Sequence, residues 1–239
     1  MLYLRSLLFN FLMFMTVPFF AMFSLACFWL PYEPRYHIVV AWQRCVVFLA
    51  KKICHVRYEI YGLENLPPAP FVIASNHQST WETLAFPVIF PNVCYVLKKE
   101  LLNLPFFGWA LHLLEPIAID RAQKTNAMEQ VLKQGSARLQ KGRTVIIFPE
   151  GKRMPLNQPG QFRSGASILA KTAGVPLVPL THDAAKCWPK HGWLKRPGII
   201  TIKIGKPIWP EEGSSTEIHA KMQEAILMKN ALADAETEK

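Results

Sequence analysis

The chain reads as an α/β domain, a mostly parallel mixed sheet flanked by helices, with an N-terminal membrane-anchoring helical segment. Three observations carry that reading. Beyond residue 53, short apolar runs bounded by glycine and proline alternate with amphipathic stretches, the pattern of successive βα units. Apolar residues make up 51% of the 239, ample for one large core. No charge occurs between Arg5 and Glu33, a stretch longer than the ~20 residues that a bilayer-spanning helix needs.

The N-terminal stretch holds seven of the fifteen phenylalanines within thirty residues. Pro18 in its middle is expected to kink the helix, which membrane helices tolerate. A cleaved signal peptide fits poorly. The apolar region exceeds the usual h-region of about 7–15 residues, only Arg5 precedes it, and aromatic bulk follows every plausible cleavage point. A second apolar stretch, 38–50, is interrupted by Gln43 and Arg44; it is too short to span and suits an interfacial or re-entrant helix. Residues 1–52 are therefore expected to form a membrane anchor, transmembrane or re-entrant, and residues 53–239 one folded domain.

Charge is unevenly spread. Residues 34–210 carry 23 Lys and Arg against 9 Asp and Glu, whereas the tail from Glu211 holds 7 acids and 3 lysines. Basic residues directly after the anchor (Arg35, Arg44, Lys51, Lys52, Arg57) place the domain on the cytoplasmic side, of the inner membrane if the source is bacterial. They also attract anionic headgroups, at about 1 kcal/mol each near the surface. The chain contains no recognisable nucleic-acid module, so no nucleic-acid partner is expected. Its cysteines (27, 45, 54, 94 and 187) are odd in number and lack C-x-x-C spacing, which indicates neither a disulfide framework nor a zinc site.

Strands are expected at 57–61, 71–75, 94–97, 116–120, 144–148, 175–181 and 199–204. Most are short apolar runs, and TVIIF at 144–148 is the clearest. Helices are expected at 80–88, at 126–140 with its stop at Gly142, at 164–172 with its stop at Gly174, and at 215–232.

Between the strand at 71–75 and the helix that follows lies Asn76-His77-Gln78-Ser79-Thr80-Trp81-Glu82. A histidine and a carboxylate are thus delivered together at a strand-to-helix turn, where open α/β sheets place ligands. Such a pair makes a ready general base. Ser79-Thr80-Trp81-Glu82 equally fits a capping box, with Ser79 as N-cap and Glu82 at N3. The spacing alone proves little, because His219 and Glu224 repeat it inside the last helix. There, steps of ~100° per residue put the two side chains ~140° apart.

A second constellation, Phe148-Pro149-Glu150-Gly151-Lys152-Arg153, follows the TVIIF strand. Glycine permits close backbone approach and two adjacent cations suit a phosphate, although P-E-G is also ordinary turn chemistry. Ile119-Asp120-Arg121 closes a third strand, and Arg121 is a further phosphate ligand or a solvated arginine paired with Asp120. Three strand ends supplying a His–Glu pair and several cations suit an acceptor that carries a phosphate and a hydroxyl to be deprotonated. No G-x-S-x-G elbow, Walker A loop or H-E-x-x-H motif is present. Trp188, Trp193, Lys190, Lys195 and Arg196 read equally as an interfacial aromatic-basic cluster or as a basic loop with two partly buried tryptophans.

Four blocks in order, NHQSTWE (76–82), KKELLNLPFFG…AIDR (98–121), FPEGKR (148–153) and VPLVPL (175–180), make the chain resemble the 1-acylglycerol-3-phosphate acyltransferases of the glycerolipid acyltransferase family. The resemblance covers roughly residues 55–210. It implies that His77, oriented by Glu82, is the general base toward the sn-2 hydroxyl of lysophosphatidate. It implies further that Arg121, Glu150, Gly151 and Arg153 bind the glycerol phosphate, and that Pro176 and Pro179 shape the acyl region. The implied co-substrate is an acyl thioester of coenzyme A or acyl carrier protein, with membrane lipids as surroundings and neither metal nor cofactor. Two departures stand out: the family's carboxylate is most often Asp, where this chain has Glu82, and Lys152 stands where Thr or Ser is common. Other acceptors, a different lysolipid or glycerol 3-phosphate, fit the same blocks, as does a noncatalytic anionic-lipid binder.

Overall fold

The computed structural model describes residues 1–120, 127–190 and 192–237. Two helices lead, α1 (Leu2–Ala26) and α2 (Tyr32–Ile53). Trp42 Nε1 donates to Thr16 Oγ1 at 3.2 Å and the Cys54 thiol meets the Arg5 carbonyl at 3.8 Å, pairings that only an antiparallel hairpin allows. The helix α1 passes through Pro18 unbroken and buries a single stripe, Ser6, Phe9, Asn10, Ala21 and Ser24. Much of the rest of the helix, including Tyr3, Leu7, Phe11, Phe14, Phe19 and Phe23, is exposed. Among the described helices α1 is the one long and apolar enough to cross a membrane.

The helix α2 is longer than the apolar stretch 38–50 suggested. Pro34 sits in its first turn, where no backbone donor is required, and Glu33 at its start with Lys51 and Lys52 at its end complement the helix dipole. Glu115 fastens that first turn to the sheet, accepting from Arg35 at 2.9 Å and from Arg143 at 3.0 Å.

Seven strands form one sheet among the described residues: β1 (Val56–Tyr61), β2 (Val72–Ser75), β3 (Val93–Lys98), β4 (Ile117–Ile119), β5 (Thr144–Ile147), β6 (Leu177–His182) and β7 (Gly198–Ile204). Their order is β1-β7-β6-β2-β5-β3-β4. Five run parallel, while β7 pairs antiparallel with β6 and parallel with β1. The reversal has a plain cause: between β6 and β7 the described chain has only the short 3₁₀ turn Ala184–Lys186, not the crossover helix that a parallel return uses. The sheet is therefore mixed and mostly parallel, as expected.

The remaining helices are α3 (Trp81–Ile89), α4 (Phe107–His112), α5 (Ala127–Gln140), α6 (Gly165–Ala173) and α7 (Ser215–Thr237). Alternation along the strands divides them between two faces. Ile73 and Ile146 pack with Val46, Ala50, Leu84 and Phe86 of α2 and α3. Val72, Ala74, Val145 and Ile147 pack with Val131 and Leu139 of α5, Leu169 of α6 and Ile218 and Met222 of α7. The short helix α4 was not anticipated, because Pro105-Phe106-Phe107-Gly108 lacks helical periodicity. All five cysteines are free; Cys54, Cys94 and Cys187 are buried, and Cys27 and Cys45 partly so.

One glycine is fixed by geometry. Gly62, just after β1, has φ +79°, and an added Cβ would lie 2.3 Å from the Ile204 carbonyl oxygen. Gly142 has φ +74° with nothing within 4 Å of its missing Cβ. Gly142→Ala is therefore expected to cost only the left-handed backbone penalty of roughly 1–2 kcal/mol. Gly62→Ala adds a backbone clash and should cost clearly more; unfolding of both variants in detergent measures the difference.

Candidate active site

The C-terminal ends of β2, β5 and β6 converge on one edge of the sheet. After β2 the chain turns through Asn76 to Ser79 and enters α3, which brings Glu82 back over the turn. Its Oε1 accepts three donors: His77 Nδ1 at 2.8 Å, the Gln78 amide at 2.9 Å and the Ser79 amide at 2.7 Å. Glu82 is fully buried, so this carboxylate answers only to protein groups. The hydrogen bond from the Ser79 amide matches the acidic half of the expected capping box, but the helix starts one residue later than expected, with Thr80 rather than Ser79 as N-cap. The other half is shifted, since Ser79 Oγ accepts from the Trp81 amide at 3.0 Å and donates to the Trp188 carbonyl. Glu82 therefore caps the helix start and grips His77 with the same oxygen.

The imidazole of His77 stacks on Phe148, centroids 4.1 Å apart and planes at 18°, and Phe148 stacks in turn on Tyr95 at 6.0 Å. With Nδ1–H given to Glu82, Nε2 keeps its lone pair. No described residue bonds to it, and the side chain remains 15% exposed. The arrangement can accept a proton from outside. Burial pushes the Glu82 carboxyl up, but His182, His77 and the Ser79 amide outweigh it and hold the group below its ordinary value.

The FPEGKR turn folds directly against this pair. Glu150 accepts from the His77 amide at 2.7 Å through Oε2 and from the Gly160 amide at 2.9 Å through Oε1. It is 6% exposed, so its two oxygens clamp backbone. The Met154 amide donates to the His77 carbonyl at 2.7 Å, which sets the neighbouring Arg153 beside the histidine turn. Gly151 has φ +67°, and its missing Cβ would meet the guanidinium of Arg163 at 3.5 Å. Arg163 is a cation that sequence reasoning missed. It lies beyond the FPEGKR block, and the 3.0 Å bond from its amide to the Pro149 carbonyl, with the Gly160–Glu150 bond before it, returns it to the turn.

Arg121 lies outside the described residues, next to Asp120 at the end of β4. Pro176 and Pro179 are both buried; their carbonyls accept from Val72 at 3.0 Å and Gly205 at 2.7 Å, which makes them parts of the sheet interior. The Trp188–Arg196 segment divides. Trp188 is 4% exposed and meets Phe9 of α1 edge-on at 5.2 Å. Lys195 is buried beneath the same helix, 4.7 Å from the Trp188 ring, while Trp193 is 64% exposed.

Because its folded pKa is depressed, ionised Glu82 stabilises the fold fully above the ordinary glutamate value of about 4.3. That contribution is lost as pH falls through the lower folded value. Wild type should therefore melt above Glu82→Gln near about pH 7, and the gap should close only as pH falls below the ordinary glutamate value, in thermal unfolding at stepped pH.

The family model described as Acyltransferase matches residues 57–183. The 1-acyl-sn-glycerol-3-phosphate acyltransferase of Pseudomonas aeruginosa is 48% identical over 196 residues, 82% of this chain and 76% of that protein. Its Saccharomyces cerevisiae counterpart is 31% identical over 73% of this chain, which spans 59% of the yeast protein. The crystal structure of the 1-acyl-sn-glycerophosphate acyltransferase PlsC from Thermotoga maritima superposes with a TM-score of 0.80 over 97% of this chain and 95% of that one. At 23% identity, that likeness establishes the fold. All four sequence blocks fall within the family match, and the chain belongs to the acyltransferase family, beside the 1-acyl-sn-glycerol-3-phosphate acyltransferases.

Proposed function

We propose that this chain transfers an acyl group from an acyl thioester to the sn-2 hydroxyl of 1-acylglycerol 3-phosphate, forming phosphatidate. The observation that carries the reading is the His77–Glu82 contact at 2.8 Å, with Nδ1 engaged and Nε2 open at a strand-end turn. His77 Nε2 takes the hydroxyl proton as the oxygen attacks the thioester carbonyl. The tetrahedral intermediate collapses, the C–S bond breaks, and the thiol of coenzyme A or acyl carrier protein leaves with the proton that His77 returns. Buried Glu82 remains ionised and supports the imidazolium in between. No acyl-enzyme or metal enters this scheme.

Arg121, Gly151 and Arg153 are assigned to the acceptor's phosphate, and Arg163 over Gly151 supports that assignment. Glu150 serves by holding the turn that presents them. Residues 1–52 are assigned to the membrane, where the apolar outer side of α1 meets lipid, with the basic domain toward the cytoplasm. Both acceptor and product are amphiphiles, so a site beside this hairpin receives them without their leaving the bilayer.

The test is thioester-dependent acylation by purified protein against a panel of donors and acceptors. His77→Ala is expected to lose about 10²–10⁴-fold in kcat, the scale of general-base catalysis, and near-normal acylation by it would defeat the mechanism. Arg153→Ala should mainly raise the acceptor KM, by about tenfold for a charge-assisted contact; an unchanged KM would remove it from the phosphate site. Lipid binding without acylation of any acceptor would favour a noncatalytic role.

A further inference from the structure

His182 ends β6, and the transfer scheme does not use it. Its side chain has no solvent exposure, and the edge of Phe86 packs on it at 5.7 Å. The two ring nitrogens face opposite partners. Nδ1 accepts the Ala184 amide at 3.3 Å and therefore carries no proton. Nε2 lies 3.0 Å from the Asn76 carbonyl oxygen, an acceptor, and must carry one. A neutral imidazole with its proton on Nε2 satisfies both neighbours. Burial, which lowers the affinity of this ring for a second proton against the pull of Glu82, agrees with that form.

The Asn76 side chain completes the join. Its amide donates to the His182 carbonyl at 2.8 Å, and its Oδ1 accepts the His182 amide at 3.0 Å. Three hydrogen bonds thus tie one residue at the end of β2 to one at the end of β6. The peptide group between Asn76 and His77 is consequently held at both ends: its carbonyl by His182 Nε2, with the local Ser75 hydroxyl also donating at 3.1 Å, and its N–H by Glu150 Oε2 at 2.7 Å. Rotation of that plane would swing the His77 Cα and the ring with it.

We propose that His182 is a positioning residue for acyl transfer, holding the Asn76–His77 peptide so that His77 Nε2 faces the acceptor hydroxyl. The inference rests on the general-base reading of His77. The charged or titratable groups around His182 are Glu82, whose Oε1 is 3.9 Å from Nε2, His77 and Asp183. At that distance Nε2–H adds to the field on Glu82 without donating a hydrogen bond to it. The ring therefore leaves the carboxylate oxygen to His77.

Three substitutions test the idea through acylation kinetics and thermal unfolding. His182→Phe keeps an aromatic ring and removes the donor. His182→Gln places an amide N–H where Nε2–H stood, and His182→Asn can reach only the Nδ1 side. His182→Phe is expected to lower kcat by roughly 10–100-fold, the scale of an ångström-level misplacement, with acceptor KM little changed. His182→Gln should recover most of the turnover and His182→Asn should not. Should the Phe variant fail to fold, the Gln and Asn pair still decides the matter. Wild-type kcat in His182→Phe or His182→Asn, a loss confined to KM, or a Gln variant no better than Asn would overturn the proposal. His77→Ala run alongside separates the two readings. Retained activity there sinks the general-base scheme itself, whereas lost activity there with wild-type turnover in the His182 variants sinks this inference alone.

Discussion

One oxygen atom organises the site edge of this protein. Glu82 Oε1 collects two backbone amides and an imidazole N–H in a place that water does not reach. The three donors come from consecutive residues, 77 to 79, so the carboxylate folds the turn into a tight loop around itself. Helix start, turn shape and imidazole orientation become a single event. The cost of burying the charge is offset by those donors acting at short range in a weakly screening interior. The extra methylene of Glu82, against the more common Asp, leaves reach enough for all three contacts.

Around that centre the sheet acts as a frame with two arms. Glu150, delivered by β5, grips the amide of His77, and His182, at the end of β6, grips the carbonyl on the other side of the same peptide. Aromatic stacking through Phe148 to Tyr95 limits the tilt of the ring. Strands that are remote in sequence but adjacent in space thus each contribute one restraint, and a parallel sheet aligns its strand ends on one edge for that purpose.

The strands were legible because buried parallel strands are short apolar runs with little else to be, as TVIIF illustrates. The His77–Glu82 pair was legible because its partners are local. Its support was not: the join between Asn76 and His182 crosses 106 residues, and no local pattern marks a histidine just beyond VPLVPL. Glu150 stood out through the resemblance alone, and the role its oxygens play here, accepting from the His77 and Gly160 amides, has no local signature. The start of α2 was hidden by Pro34 and by charges that lie outside the apolar window. Trp188 and Lys195 could be read either way, since their burial is decided by a helix from the other end of the chain.

That last dependence bears on how the protein can be handled. Phe9 is wholly enclosed and meets Trp188, whose carbonyl receives the Ser79 hydroxyl at the histidine turn. The Lys195 amide rests on Ser6 Oγ, and the Trp193 carbonyl takes the Asn10 side-chain amide. Cutting away the first thirty residues to obtain a water-soluble fragment would therefore not unclip an accessory. It would strip the cover from Trp188 and Cys54 and leave the loop beneath without its partners, so the hydrophobic helix is a wall of the domain.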